Sequence, residues 1–363
     1  MTTFLVVLIL FGAVLELLSL KDNIKNLHYH CIPSKLGCEP GEEFVLQTVV
    51  SNYSSRTIPF LRMEELFPKQ INTPGIEELY LADHRCRIHT SMLYIKRRQK
   101  VTRTLTVSLP NRGVYVFEGC RLLRGDFLGL KETCREVTQH EKIIIFPKSL
   151  RENRLHHQLS GYYGDFTVRR HYIEDPVLVS GYLDYTGREP LRSISWTQSA
   201  RRNQLMVKEF DHTTDLSITI LLDVYLHWSE GANREELEYC YSLVRTIAEF
   251  MEGKKVSYRL LTNAYIRSED SDYEGLMKAG QGAHHYTTML YTLGQAEANS
   301  LRGIDDLYQL AISKYSGENA VFYVAPFATE KRQQLIDSLQ NRLSSRIYPM
   351  FATELMEVKP DAV

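Results

Sequence analysis

Hydrophobic side chains fill 44% of the 363 positions, enough for the cores of two ordinary domains. The 43 Lys and Arg residues balance 44 Asp and Glu, a net charge of −1, so there is no basic footprint and no nucleic-acid partner is expected. Six cysteines, Cys31, Cys38, Cys86, Cys120, Cys134 and Cys240, form no C-x-x-C pair, which points to free thiols in a reducing compartment.

The run Phe4–Leu20 is almost wholly apolar, broken by Glu16, and reads as a short membrane helix within 1–25. Lys21 and Lys25 follow it and no basic residue precedes it. That asymmetry predicts a membrane-attached protein with its body in the cytoplasm. His28, His30, Cys31 and Cys38 have no standard zinc spacing.

Residues 26–148 read as a β-sandwich. Glu43–Ser51, Arg103–Leu109, Val114–Phe117 and Glu141–Phe146 are strand-like, with turns at Asn52–Ser55 and Asn111–Gly113. Residues 149–216 read as a connecting arm, including the glycine- and aromatic-rich Gly161–Phe166.

From 217 to 363 strand and helix patterns alternate. Ser217–Leu222 and Ala320–Ala325 are continuous apolar runs, as strands buried on both faces require. Leu237, Cys240, Tyr241, Val244, Ile247, Ala248 and Met251 recur at helical spacing after an Asn233–Glu236 capping box. Further strands are read at Val256–Leu261 and Arg346–Phe351, and helices near Tyr286–Leu293, Ile304–Ile312 and Arg332–Leu343. The alternation implies βαβ units and a mostly parallel sheet.

The most informative stretch joins arm to sheet. Gly187-Arg188-Glu189-Pro190-Leu191-Arg192 leads into Ser193-Ile194-Ser195-Trp196, then Ser199-Ala200-Arg201, Leu205-Met206-Val207-Lys208-Glu209 and the strand ending at Asp223. This order resembles the signature of the bacterial domain-of-unknown-function 58 family. Arg112-Gly113-Val114-Tyr115 and Gly125–Leu130 also resemble that family. The resemblance implies an α+β chain: a membrane helix, a β-sandwich, then an α/β von Willebrand factor A-like domain. It further implies a MoxR-type AAA ATPase as partner.

In a von Willebrand A domain, Asp-x-Ser-x-Ser at the strand end supplies oxygens to a divalent cation. Here Asp223, Tyr225 and His227 stand at those positions, and a phenol and an imidazole do not replace two small hydroxyls. A degenerate site without metal is therefore expected, with Asp223 capping a turn. No nucleophile elbow, P-loop or dinucleotide fingerprint occurs, and no cofactor is implied.

Arg192, Trp196 and Arg201 have two readings. One is a partner-facing surface. The other is a buried clamp, with Trp196 as core filler and the arginines paired to Glu209 or Asp211; the spacing favours this one. The function expected is a non-catalytic, membrane-anchored interaction or assembly protein. The alternative is a hydrolase using the strand-end crevice, with Asp223, His227 and Asp211 as acid–base candidates.

Overall fold

The computed structural model describes residues 24–73, 79–80, 86–125, 132–170, 179–187, 189–210, 216–226, 234–267, 275–300, 302–315 and 317–357, and isolated positions 4, 10, 12 and 14. The chain divides into two units, Met1–Lys148 and Ser149–Val363.

Among the described residues from Ile24 on, the first unit consists of strands after a short 3-10 turn at Ile24–Asn26. They are β1 (Leu27–Pro33), β2 (Gly37–Cys38), β3 (Glu43–Asn52), β4 (Ile58–Pro68), β5 (Leu79–Tyr80), β6 (Cys86–Ile95), β7 (Lys100–Ser108), β8 (Gly113–Gly125) and β9 (Glu132–Ile145). One sheet has the order β1-β3-β7, the other β2-β9-β8-β4-β6-β5. Their inner faces share one core, with Leu27, Leu46 and Val107 from the first sheet and Leu61, Phe117 and Leu122 from the second. The β8–β9 register shifts at Gly119, whose φ is +118°. A Cβ there would lie 2.0 Å from the Val137 carbonyl oxygen, so only glycine fits the bulge.

In the second unit, helix α1 (Asn153–Arg170) comes first, then β10 (Val179–Asp184), α2 (Trp196–Arg202) and β11 (Met206–Phe210). Next are β12 (Ser217–Leu222), α3 (Arg234–Gly253), β13 (Ser257–Thr262), β14 (Ala264–Ile266), β15 (Leu276–Gly280), α4 (Ala283–Gln295), β16 (Ala296–Ser300) and α5 (Ile304–Ser313). The chain closes with β17 (Ala320–Ala325), α6 (Glu330–Arg342), β18 (Arg346–Phe351) and α7 (Ala352–Glu357). The main sheet runs β15-β13-β12-β17-β18, with β15 antiparallel to β13 and the other pairs parallel. On one face Ile218, Ile220, Tyr258 and Phe322 meet α1, α3 and α4. On the other, Leu221, Leu261, Val321 and Ile347 meet α5 and α6. Two short antiparallel sheets, β10-β11 and β14-β16, complete the unit.

The class expected from sequence is corrected by the secondary-structure balance. Among the described residues strand accounts for 43% and helix for 33%, with the strands in five sheets, so the described chain is predominantly β rather than α+β with a von Willebrand A-like domain as its defining part. The excess comes from ladders such as β8 and β9, 13 and 14 residues long, far beyond the short runs legible in sequence. The membrane expectation is also corrected. Among the described residues no helix is long and apolar enough to cross a membrane, and the single amino-terminal membrane helix and the localisation drawn from it are unsupported. Phe4–Leu20 lies outside the described residues except at Phe4, Leu10, Gly12 and Val14. The 18-residue α1 is polar on average, and the 20-residue α3 is amphipathic, so each buries one face in protein. Gly161–Phe166, read as an arm, lies inside α1, which buries Leu155, Leu159 and Phe166.

Candidate functional site

Two places bring the singled-out residues together. The first is the carboxyl end of β12. Asp223 follows the last strand residue, and its N–H donates to the Val324 carbonyl at 2.9 Å, extending the ladder by one step. Its side chain is 0% exposed. Oδ1 accepts from Asn263 Nδ2 at 2.8 Å and from the Tyr225 N–H at 2.9 Å. Oδ2 accepts from the Tyr323 hydroxyl at 2.8 Å and from Arg332 Nε at 2.9 Å. Asn263 Oδ1 in turn accepts from the Val224 N–H at 2.9 Å, which fixes the amide's orientation.

Arg332 comes from the first turn of α6, where its N–H donates to the capping hydroxyl of Thr329. Its other nitrogens donate to the Phe327 carbonyl at 3.0 Å and the Tyr225 carbonyl at 2.5 Å. The guanidinium lies 4.8 Å from the centroid of the Phe327 ring. Burial, and then the Asp223 charge, push the Tyr323 hydroxyl well above the usual tyrosine range, so it stays protonated and donates. A carboxylate can serve about four donors, and Asp223 serves four. It therefore offers no exposed lone pair to substrate or water.

Asp223 was expected to cap a turn. Its bond to the Tyr225 N–H does so, but the ion pair with Arg332 is the larger feature, and sequence carries no signal for it across 109 positions. The Tyr225 side chain packs half-buried against the core beneath α5 and α6. His227 and Asp211, the other acid–base candidates, lie outside the described residues, as do Arg188, Asn233 and Asp126–Leu130. Among the described residues there is no group of three His, Cys, Asp or Glu side chains placed to hold a metal.

Comparable networks hold other parts of each unit. Arg259 pairs with Glu318 at 2.5 Å and donates to Thr219 Oγ1 at 2.8 Å inside the second unit. In the first unit Glu65, 0% exposed, accepts from Tyr29 and Arg103. Arg103 also donates to His89 Nε2 at 2.9 Å, so that nitrogen carries no proton. Burial lowers the pKa of His89 below the ordinary histidine range.

The second place is the signature segment. β10 and β11 pair antiparallel, and Ile194 adds a bridge to Val207 on the far side of β11. A 3-10 turn at Leu191–Ser193 precedes α2. Ser199 is the pin: its hydroxyl donates to the Ser195 carbonyl and accepts from the Met206 N–H, both at 2.8 Å. The Ser195 N–H donates to the Met206 carbonyl at 2.8 Å. Lys208 is half-buried on β11 opposite Tyr182.

Trp196 was expected in the core, and here the structure corrects the reading. It is 68% exposed. The alternation holds through Ile194, which is buried, but α2 begins at Trp196 and the change of period turns the indole outward. Arg192 and Arg201 are exposed and, among the described residues, neither meets a carboxylate. The Glu209 side chain, one expected partner, is outside the described residues, as is Asp211.

No protein-family model matches the chain. A curated relative, the Bacillus subtilis uncharacterized protein YeaD, is 24% identical over 153 residues, 41% of this chain. That match spans 37% of the relative's own length. Among solved structures, a CARDB domain of Pyrococcus furiosus aligns with 33% of this chain and 91% of its own, at 10% identity and a TM-score of 0.20. A Clostridium perfringens cohesin module covers 33% of this chain and 96% of its own, at 10% identity and a TM-score of 0.24. Likenesses this low carry no assignment of fold or function, and none supports a von Willebrand A label.

Proposed function

We propose that this protein is a non-catalytic interaction or assembly protein related to the domain-of-unknown-function 58 family, with a MoxR-type AAA ATPase as its partner. One observation carries the reading: Trp196 is exposed on a turn held rigid by Ser199, flanked by the exposed Arg192 and Arg201. Folding gains little from an indole left in water, whereas Trp and Arg dominate the energetics of protein interfaces. The buried and saturated Asp223 argues against the hydrolase alternative, because an acid–base group must reach the proton it moves. The partner's identity rests on the signature resemblance alone. Binding of a purified MoxR-type ATPase to immobilised wild-type and Trp196→Ala protein tests the proposal. Equal binding by both would reject the Trp196 surface.

A further inference from the structure

We infer that one end of the first unit binds single-stranded nucleic acid through its phosphates and bases. The inference concerns that unit alone and does not rest on Trp196. The turn between β6 and β7 reads Lys96-Arg97-Arg98-Gln99-Lys100, four cations in five positions, and all four are exposed. None of the four meets a carboxylate among the described residues. Beside it runs the turn between β3 and β4, Tyr53 to Thr57, with an exposed Arg56. Neither turn contains Asp or Glu. Glu132, where β9 begins at the same end of its sheet, is held by Arg62 at 2.9 Å. The balanced net charge is an average that hides this basic end, and the expectation drawn from it is revised here.

The two turns are fixed to each other. Asn52 is buried, and its Nδ2 donates to the Arg56 carbonyl at 2.8 Å and to the Lys96 carbonyl at 3.0 Å. Its Oδ1 accepts from the N–H and the hydroxyl of Ser54. The Arg98 N–H donates to the Ser54 carbonyl at 3.2 Å, and Gln99 Oε1 accepts from the Lys96 N–H at 2.7 Å. Within this lock Arg98 has a φ of +50°. A turn with positive φ at its third residue ordinarily places glycine or asparagine there. Arginine holds the position at a cost in backbone energy, and among the described residues its guanidinium forms no ion pair or hydrogen bond that offsets the cost. The charge is kept where folding does not call for it.

Aromatic rings border the cations. Tyr53 lies in the second turn, and Tyr94 comes two residues before Lys96. Phe60 stands beside Tyr94 on the adjoining strand, where the β4–β6 register shifts between Ile58 and Leu61. All three side chains are more than half exposed. The Tyr53 ring meets His28 edge-on at 5.0 Å, which sets its plane. A single strand repeats one phosphate and one planar base per nucleotide, and it binds surfaces that combine cations with exposed aromatic faces. An acidic peptide offers the charge but no planar group for the rings. A duplex offers the phosphates but keeps its bases paired and stacked on one another.

The test is fluorescence anisotropy on the full chain with a labelled single-stranded oligothymidylate. The logarithm of the affinity should fall with the logarithm of salt at a slope of about −3, four phosphates at about −0.7 each. Arg97→Ser/Arg98→Gly should flatten the slope to about −1.5 and weaken binding at low salt at least roughly tenfold. Its melting temperature should not drop, because glycine relieves the φ at that position. Should it drop, Lys96→Gln/Lys100→Gln, which leaves the turn's backbone alone, must give the same flattening. Phe60→Ala/Tyr94→Ala should weaken binding at least roughly fivefold with the slope unchanged. A probe that does not bind at low salt would overturn the inference, as would a slope that the charge variants leave unchanged or an affinity that ignores the two rings. Tighter binding of duplex DNA, a polyglutamate peptide or phosphatidylglycerol vesicles would assign the surface to another class and overturn it too.

Discussion

Arg332 and Asp223, 109 residues apart in the chain, form an ion pair at 2.9 Å in which neither side chain is more than 1% exposed. The pair joins the first turn of α6 to the end of the central strand. A guanidinium holds the carboxylate from within the protein, and Tyr323 and Asn263 occupy its remaining acceptor positions. Removing one partner of such a pair strands a buried charge, which typically costs about 3–5 kcal/mol. Arg332→Met should therefore lower the stability of the chain by that order in urea unfolding. The double variant Asp223→Asn/Arg332→Met should lose clearly less than the sum of the two single losses. Strict additivity would show that the pair is not coupled.

The signature segment gives a contrast between neighbours. Ser199→Ala removes the acceptor of the buried Met206 N–H, a loss of about 1–3 kcal/mol. Trp196→Ala, three residues away, should change stability by less than about 0.5 kcal/mol because the indole is solvated. Thermal melts of the two variants side by side check the ranking, and a reversed order would contradict the described turn.

His89 should make stability depend on pH. Its folded pKa is lowered by burial, and its Nε2 accepts from Arg103, so protonation would set two cations together. The unfolded chain then binds more protons than the folded one below the ordinary histidine pKa of about 6.5. The contribution of the neutral ring is fully present above that pH and is lost as pH falls towards the folded value. Urea midpoints measured from pH 8 down to pH 5 should decline below about 6.5, and His89→Gln should flatten the decline. A variant with the same slope as wild type would remove His89 from the account.

The β8–β9 bulge supplies a backbone test. Gly119→Ala places a methyl group on the Val137 carbonyl and forces a left-handed φ on a residue with a Cβ. The loss should be on the order of 1–3 kcal/mol by circular-dichroism melting. Gly161→Ala, inside α1 with open space around its Cα, should be neutral or stabilising.

Elements whose burial matches one simple period were legible in the sequence. The seven helical positions from Leu237 to Met251 are all buried in α3, and Ser217–Leu222 and Ala320–Ala325 are strands of the main sheet. Strands β4 and β6 escaped because polar groups interrupt their inward faces. Glu65 stands between Met63 and Phe67, and His89 opposite it. Glycines at 161 and 164 disguised α1, where packing of Leu155, Leu159 and Phe166 overrides poor propensity. The site was legible only in part. Asp223 stood out as a strand-end residue, but Arg332, its buried partner, reads like any charged residue at a helix start. Trp196 stood out in the sequence but was placed on the wrong side of the surface, because the start of a seven-residue helix reverses the direction that alternation predicts.

One measurement bears most directly on the interaction account: the melting temperature of Trp196→Ala read together with its binding of a purified MoxR-type ATPase. The account predicts a melting temperature equal to that of wild type and a loss of binding. A depressed melting temperature, or undiminished binding, would contradict it.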